Sequence, residues 1–163
     1  MRRCGRVTVP VWGWFSSEGA GVIHQVQNYL DTDQYLSILE DVMLPSALER
    51  FDGGPFKFLH DHHPAHTSKI VKDWLSFHEQ NLQIEVLKYP ARGCDINPIE
   101  HVWADMVREL NAQNLRKKAD LWDRVEDLWE EFALREDYWS TLSASMVTRL
   151  EMLQSMEGRW TKY

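Results

Sequence analysis

Hydrophobic and polar residues alternate near the start of the chain, which is the pattern of a β-strand. The alternation runs from Val7 to Phe15, and a second apolar stretch, Gly21–Val26, follows the polar turn Ser16–Gly19. Two strands joined by so short a turn predict a β-hairpin.

The spacing of the apolar residues then changes to that of helices separated by short strands. A helix capped by Asp31 or Thr32 is predicted from an apolar stripe made of Tyr35, Leu36, Ile38, Leu39, Val42 and Met43. A loop and a short strand over Phe56–His60 follow. Pro64 is expected to open a second helix, and Ile84–Leu87 predicts a fourth strand. The stripe of the second helix consists of Ile70, Val71, Trp74, Leu75 and Phe77. The predicted order is β-β-α-β-α-β.

The second half of the chain has the hydrophobic spacing of helices. One begins at Asn97-Pro98 and runs towards Leu110, another carries Leu121–Phe132, and a further helix covers roughly Trp139 to Met156. The tryptophans of this part are expected to pack in the core. No repeat, low-complexity tract or linker divides the sequence, so residues 1–163 are predicted to form a single α/β domain.

Composition places the chain among globular proteins. Its 163 residues suit one domain, and a hydrophobic content of 44% is too high for a disordered chain. The net charge of −7 argues against a protein whose main role is to coat nucleic acid, although a local basic groove stays compatible with it. Cys4 and Cys94 cannot form a disulfide scaffold, which favours a reducing compartment. No apolar run is long enough for a membrane span and no signal peptide is evident, so a soluble intracellular protein is expected.

Asp61 is the first candidate for chemistry, because it comes directly after an apolar strand. Open sheets place reactive groups at the carboxyl ends of their strands. Its flank from His60 to Thr67 is rich in histidine and unusually polar for a segment between a buried strand and an amphipathic helix. The structural alternative is that Asp61 only caps the helix that Pro64 opens.

Glu100 is the second candidate, and it also has a structural alternative. Asn97, Pro98 and Glu100 have the spacing of a helix start, with Asn as N-cap, Pro at the first position and Glu closing a capping box. A step of about 100° per residue places Glu100 at the edge of the apolar arc of this helix, whereas Asp105 faces away from that arc. An acid at that edge can face a cleft. The apolar arc consists of Ile99, Val102, Trp103, Met106, Val107 and Leu110.

A cluster of histidines next to Asp61 raises the alternative of a zinc site. Zinc needs three or four ligands that converge tetrahedrally, whereas Pro64 interrupts this segment and no CxxC or HExxH motif occurs. Glycine-rich phosphate-binding motifs are absent as well. Zinc is therefore the lesser alternative. The histidines are His60, His62, His63 and His66.

Three segments, in the same order along the chain, resemble motifs of the mariner-superfamily (Tc-type) transposases. Val11–Gly19 resembles the Trp-Gly strand of that family. Phe58–Ser68 resembles the segment around its second catalytic aspartate, and Tyr89–Trp103 resembles the segment around its third catalytic acid. Within the last segment Gly93-Cys94 departs from the family's usual wording, whereas Asp95–Trp103 nearly matches it.

The resemblance implies a ribonuclease-H-like fold, in which a mixed sheet with flanking helices is followed by C-terminal helices. It also implies a DDE/DDD mechanism, in which three carboxylates hold two divalent ions, Mg²⁺ or Mn²⁺, for phosphoryl transfer on DNA. By this resemblance Asp61 is the second acid and Glu100 the third. Both are expected to be catalytic and metal-binding residues whose side chains converge on one pocket.

The family's first catalytic aspartate lies on a strand before the Trp-Gly strand, and residues 1–6 contain no acid. The first, central strand of the sheet and the amino-terminal DNA-binding region are therefore expected to be missing. Two strand edges would then be unpaired unless the strands on either side of the gap pair directly with each other. Metal binding by the remaining two acids is expected to be weak.

The resemblance thus predicts a transposase-derived domain whose ancestral reaction is metal-dependent DNA cleavage and strand transfer, and which is inactive alone. The expected partners are transposon-end DNA and either a second copy of the chain or full-length transposase, with no membrane, and the expected location is the nucleus. The alternatives are a non-catalytic module that binds or inhibits full-length transposase, a zinc-binding module, and a reading frame without a cellular role.

Overall fold

The fold was determined from a computed structural model, which describes residues 7–90, 96–113 and 115–155. The predicted order of strands and helices is confirmed within these ranges, whereas Cys4 and Cys94 lie outside them. In chain order the elements are β1 Val11–Ser16, β2 Gly19–Gln25, α1 Thr32–Ile38, α2 Leu44–Arg50, β3 Phe56–Phe58, α3 Lys69–Gln80, β4 Ile84–Val86, α4 Ile99–Asn111, α5 Lys118–Ala133 and α6 Tyr138–Ser155.

The described residues divide into two compact units, which we name after their main features. The hairpin unit contains the described chain up to Tyr29 together with Pro98–Ser143. The histidine unit contains Leu30–Asn97 together with the described residues from Ala144 onwards. The single domain predicted for residues 1–163 stays a prediction.

The hairpin unit begins with the predicted β-hairpin. β1 and β2 pair antiparallel, from Val11 opposite Gln25 to Ser16 opposite Gly19, which confirms the predicted hairpin. β1 begins at Val11 and not at Val7 as the alternation predicted. Pro10 lies directly before it, and a proline cannot donate a hydrogen bond to the ladder.

Tryptophan rings fill the space between this hairpin and the helices of the same unit. Trp129 is 4% exposed and donates its Nε1 hydrogen to the carbonyl of Gly21, at 3.0 Å. A Cβ atom on Gly13 would lie 3.1 Å from the ring of Trp103, and one on Gly21 would lie 2.2 Å from the ring of Trp14. The indole ring at Gly21 leaves no room for a Cβ atom, whereas at Gly13 the neighbouring ring would have to move by a few tenths of an ångström. The buried core of this unit consists of Ala20, Val102, Met106, Val125, Leu128, Trp129, Phe132, Trp139 and Leu142.

The histidine unit contains a parallel strand pair. β3 and β4 pair from Phe56 opposite Ile84 to Phe58 opposite Val86, and α3 forms the crossover that a parallel pair requires. On α3 the side chains of Val71 and Leu75 are buried. The prediction that Ile70 and Phe77 share this stripe is wrong, because they are 48% and 60% exposed: the buried stripe is narrower than the predicted one.

A π-helical turn divides the predicted first helix. It covers Leu39–Met43, and the amide of Leu44 donates to the carbonyl of Leu39, five residues earlier. Pro45 explains the break, because its nitrogen cannot donate to a carbonyl in the preceding turn. The predicted cap at Asp31 is confirmed, since its side chain accepts a hydrogen bond from the amide of Gln34.

The described strands form two two-stranded sheets, β1–β2 and β3–β4. The direct pairing of β1 with β3, which the sequence left open, stays a prediction. The missing central strand stays a prediction. In the same part of the chain, no helix combines the length and the apolar content that a membrane span requires.

Candidate functional site

Asp61 lies in an irregular segment between β3 and α3. The strand predicted to reach His60 ends at Phe58, and the helix predicted to open at Pro64 begins at Lys69. A separate turn lies between them, in which the amides of His66 and Thr67 both donate to the carbonyl of His63. Asp61 consequently does not cap α3, so the structural alternative proposed for it is wrong.

The two oxygens of the Asp61 carboxylate have different surroundings. Oδ1 accepts the backbone amide of His63 at 3.0 Å and lies 2.8 Å from Nδ1 of His66. No hydrogen-bond partner of Oδ2 occurs among residues 7–90, 96–113 and 115–155, and 31% of the side chain is exposed. One oxygen is therefore held by the protein while the other is open to a ligand.

The charge of Asp61 is stabilised by these same contacts. The hydrogen bond from His66 has the largest effect and lowers the pKa of the carboxyl group. Partial burial acts in the opposite direction, and the amide of His63 lowers the pKa further, so that it falls to about 2. At neutral pH Asp61 is therefore ionised, and a carboxylate oxygen is the kind of ligand that Mg²⁺ and Mn²⁺ prefer.

Aromatic rings hold the histidine that contacts Asp61. The ring of His66 stacks on Tyr35, with ring centroids 4.0 Å apart, and lies nearly parallel to the ring of His60 at 5.2 Å. The hydroxyl of Tyr35 lies 2.8 Å from Nδ1 of His60. Burial, reinforced by the negative charge of Asp61, raises the pKa of Tyr35, and burial lowers the pKa of His60 to about 4. Both groups are thus neutral at pH 7, and they share one hydrogen bond.

The histidine cluster is occupied by contacts within the protein. His60 bonds to Tyr35, His66 contacts Asp61, and Nε2 of His62 lies 2.9 Å from the carbonyl of Tyr89. Within the described ranges, no three His, Cys, Asp or Glu side chains are arranged so that they could hold a metal ion. These contacts do not favour the zinc alternative.

Glu100 lies in the first turn of α4, and its side chain is exposed. The helix begins at Ile99, one residue later than predicted, with Pro98 in the position of the N-cap. The backbone of Pro98 is nevertheless already helical, and its carbonyl accepts the amide of His101. An acid in the first turn is favoured by the helix dipole.

Two residues of α4, Val107 and Asp105, differ in burial from what the sequence predicted. Val107, which was placed in the apolar arc, is 46% exposed. Asp105, which was expected to face away, is partly buried because it accepts a hydrogen bond from the hydroxyl of Tyr138 at 2.7 Å and pairs with Arg108. The buried positions of α4 are Val102 and Met106, as predicted.

Asp61 belongs to the histidine unit and Glu100 to the hairpin unit. The convergence of these two side chains on one pocket therefore stays a prediction. Sequence reasoning missed the roles of Tyr35 and His66 beside Asp61. The polar flank after Asp61 was noticed, but nothing in the local pattern connects it to a tyrosine of an earlier helix.

Comparisons with known proteins agree with the motifs. Residues 2–122 match the family model of the DDE superfamily endonucleases. The Tc1 transposase of Caenorhabditis elegans is 32% identical over 159 residues, which cover 98% of this chain and 56% of the relative. The Tcb2 transposase of Caenorhabditis briggsae is 32% identical over 162 residues, with the same coverage of both chains. The chain thus spans about half the length of the curated relatives that it matches.

The fold is similar to that of a solved transposase. The Mos1 transposase catalytic domain, in a structure with raltegravir and Mg, matches 94% of this chain and 77% of that one with a TM-score of 0.73 and 22% identity. A crystal structure of the Mos1 mariner paired end complex with Mn matches 94% of this chain and 45% of that one, with a TM-score of 0.78 and 21% identity. At these identities the likeness shows the fold, and it confirms the predicted ribonuclease-H-like α/β class.

Proposed function

The chain belongs to the DDE superfamily endonuclease family, and from this premise we propose that it serves as the catalytic domain of a Tc1/mariner-type transposase. The reaction would be cleavage of DNA at transposon ends and transfer of the cut strand. The transposase relatives support this activity, and because the chain spans 56% of their length, the activity of a whole transposase is part of the proposal.

The observation that carries the proposal is the state of Asp61. Its pKa is about 2, its Oδ1 is fixed by His63 and His66, and its Oδ2 has no hydrogen-bond partner in the described ranges. A charged, partly exposed carboxylate oxygen without a protein partner is available to a metal ion. Asp61 keeps a charged oxygen available, and the motif resemblance proposes it as the family's second acid.

We infer that Asp61 and Glu100 together hold a divalent ion, Mg²⁺ or Mn²⁺. Both residues offer carboxylate oxygens, and Asp61 is ionised and partly exposed, which fits the ligand preference of these ions. Mos1 transposase has been solved with Mg and with Mn. When bound, such an ion stabilises the charge on the attacking and leaving oxygens of phosphoryl transfer.

Two acids are fewer than the three that the family uses. We therefore propose that this chain alone binds the ion weakly and does not cut DNA. The proposed partners are transposon-end DNA and a second copy of the chain or of a longer transposase, and a paired end complex is known for Mos1. The proposed location is the nucleus, where such DNA is found.

The test combines metal binding with DNA cutting. The purified 163-residue chain would be titrated with Mn²⁺ by calorimetry and incubated with a plasmid that carries transposon ends. We expect Mn²⁺ binding that is lost in Asp61→Asn and in Glu100→Gln, without cutting. Asp73→Asn and Glu109→Gln are matched controls, since these exposed acids lie on α3 and α4 in ion pairs with Lys69 and Arg135. Unchanged Mn²⁺ binding in the Asp61 variant would contradict the metal site, and cutting that depends on Asp61 would contradict the predicted inactivity.

A second candidate function is a non-catalytic module that binds or inhibits full-length transposase. The observation that favours it is that each described strand has a single strand neighbour, which leaves an edge able to accept another strand. Co-purification with a full-length Tc1-type transposase, with suppression of that protein's DNA cutting, is the expected result. A chain that neither associates with such a transposase nor affects its cutting would rule this candidate out.

A further inference from the structure

We propose that His66 is a positioning residue for the metal-binding carboxylate, holding Oδ1 of Asp61 so that Oδ2 faces the ion. This inference rests on the proposed function, because it concerns the same carboxylate. It adds a residue to which the sequence assigned only a place in a histidine cluster.

The first argument is the placement of the proton on the His66 ring. Nδ1 lies 2.8 Å from Oδ1 of Asp61 and 3.3 Å from the main-chain oxygen of the same residue. Two oxygens at one nitrogen require that nitrogen to be a donor. Nε2 is buried and has no hydrogen-bond partner in the part of the chain that the structure describes. A hydrogen on Nε2 would be stranded, so we assign the tautomer with its hydrogen on Nδ1, directed at Asp61.

The second argument is the rigidity of the ring. The side chain of His66 is 12% exposed and is stacked on Tyr35, which is fully buried. The parallel ring of His60 lies on it as well, with centroids 5.2 Å apart. Tyr35 is fixed in turn by α1, whose first turn is capped by Asp31. The Nδ1 donor of His66 is therefore held in place by the packing of its ring, and not by the irregular segment that carries the residue.

The third argument is that the two oxygens of the Asp61 carboxylate have different contacts. The amide of His63 and the ring of His66 both use Oδ1, and neither contacts Oδ2. A residue that orients a metal ligand through its far side typically changes metal affinity by about 10-fold or more when it is removed. His66 contacts Oδ1 of Asp61 and leaves Oδ2 to the proposed ion, so it is placed to orient the carboxylate in this way.

The experiment compares two substitutions of the same shape. In His66→Asn the amide nitrogen occupies the place of Nδ1 and retains a donor, whereas His66→Leu has nearly the same shape without a donor. We expect Mn²⁺ affinity of the 163-residue chain to fall about 10-fold in His66→Leu and to stay close to wild type in His66→Asn. His78→Leu is the control, because His78 lies in the same unit with Nδ1 2.5 Å from Oε1 of Gln83 and its ring on Trp74, without contact to Asp61.

The outcomes separate this inference from the proposed function. If Asp61→Asn abolishes Mn²⁺ binding and His66→Leu leaves it unchanged, the inference is wrong while the metal site stands. If Asp61→Asn leaves Mn²⁺ binding unchanged, the metal site itself is wrong. Crystal structures of the two His66 variants without metal then decide the inference: we expect the Asp61 carboxylate to rotate in His66→Leu and to keep its position in His66→Asn. An unrotated carboxylate in His66→Leu would overturn the inference.

Discussion

The hairpin unit and the histidine unit are both stabilised by stacked aromatic rings, but the ring nitrogens have different partners in the two units. In the hairpin unit Trp129 and Trp139 donate to the main-chain carbonyls of Gly21 and Phe132. In the histidine unit the ring of His66 contacts the side chain of Asp61. The two indole rings thus satisfy main-chain carbonyl groups. The imidazole ring of His66 instead holds the carboxylate of Asp61, whose Oδ2 has no hydrogen-bond partner in the described ranges.

This difference separates two kinds of contribution. A ring nitrogen bonded to a buried carbonyl serves the stability of the fold, and its loss is measured as a free energy of unfolding. A ring nitrogen bonded to a partly exposed carboxylate also serves the orientation of that carboxylate, and its loss is measured as ligand affinity. Substitutions in the two units should therefore differ in the property that they change.

The largest expected effect is in the tryptophan core. Trp129→Ala should lower the free energy of unfolding by about 3–5 kcal/mol, because it removes a nearly buried ring that stacks on Trp103 and meets Trp139 edge-on. Urea denaturation followed by circular dichroism would measure it. Leu134→Ala is the control, since Leu134 is 85% exposed and should change stability very little. Equal losses in the two variants would refute the assigned role of the core.

An intermediate effect is expected from pH in the histidine unit. The pKa of His60 is lowered from 6.5 to about 4, so the folded chain keeps this ring neutral while the unfolded chain protonates it. Stability should be fully present above pH 6.5 and should fall by about 3 kcal/mol as the pH approaches 4. The contribution of Asp61, whose pKa is lowered from 3.8 to about 2, is lost only at still lower pH.

Urea denaturation at several pH values would measure this slope. In His60→Gln the loss between pH 6.5 and 4 should largely disappear, because no ring is left to protonate. A slope of the same size in the variant would show that other groups cause it.

The smallest expected effect is that of the Tyr35 hydroxyl. Tyr35→Phe keeps the ring that stacks on His66 and removes the hydrogen bond to His60, at a cost of about 1 kcal/mol in unfolding free energy. Mn²⁺ binding should not change, because neither the ring of His66 nor Asp61 loses a contact. Weaker Mn²⁺ binding in Tyr35→Phe would mean that the hydroxyl of Tyr35 also contributes to the orientation of Asp61, which would contradict the role assigned to His66 alone.

The sequence predicted the features that depend on neighbouring residues. The hairpin over Val11–Gln25 follows from alternation, and the cap at Asp31 follows from local preference for an acceptor at a helix start. The late start of α3 at Lys69 was missed because the turn that begins at His63 does not continue into the helix, which starts again after Ser68. The residue pattern alone does not show where a helical turn is interrupted.

The candidate site was predicted in its acids but not in its supporting residues. Asp61 and Glu100 were proposed from motifs, and both side chains are at least partly exposed, whereas their role in a shared site stays a prediction. Tyr35 was predicted only as part of an apolar stripe, because its contact with His66 joins α1 to a distant turn. Contacts of this kind arise from tertiary packing, which hydrophobic spacing does not encode.

The convergence of Asp61 and Glu100 is the central claim, and a crystal structure of this chain grown with Mn²⁺ tests it most directly. Anomalous diffraction would locate the ion independently of the protein atoms. We predict one strong Mn²⁺ peak with a carboxylate oxygen of Asp61 and one of Glu100 each at about 2.1 Å. A peak bound to Asp61 while Glu100 points elsewhere, or no peak at either acid, would contradict the shared site.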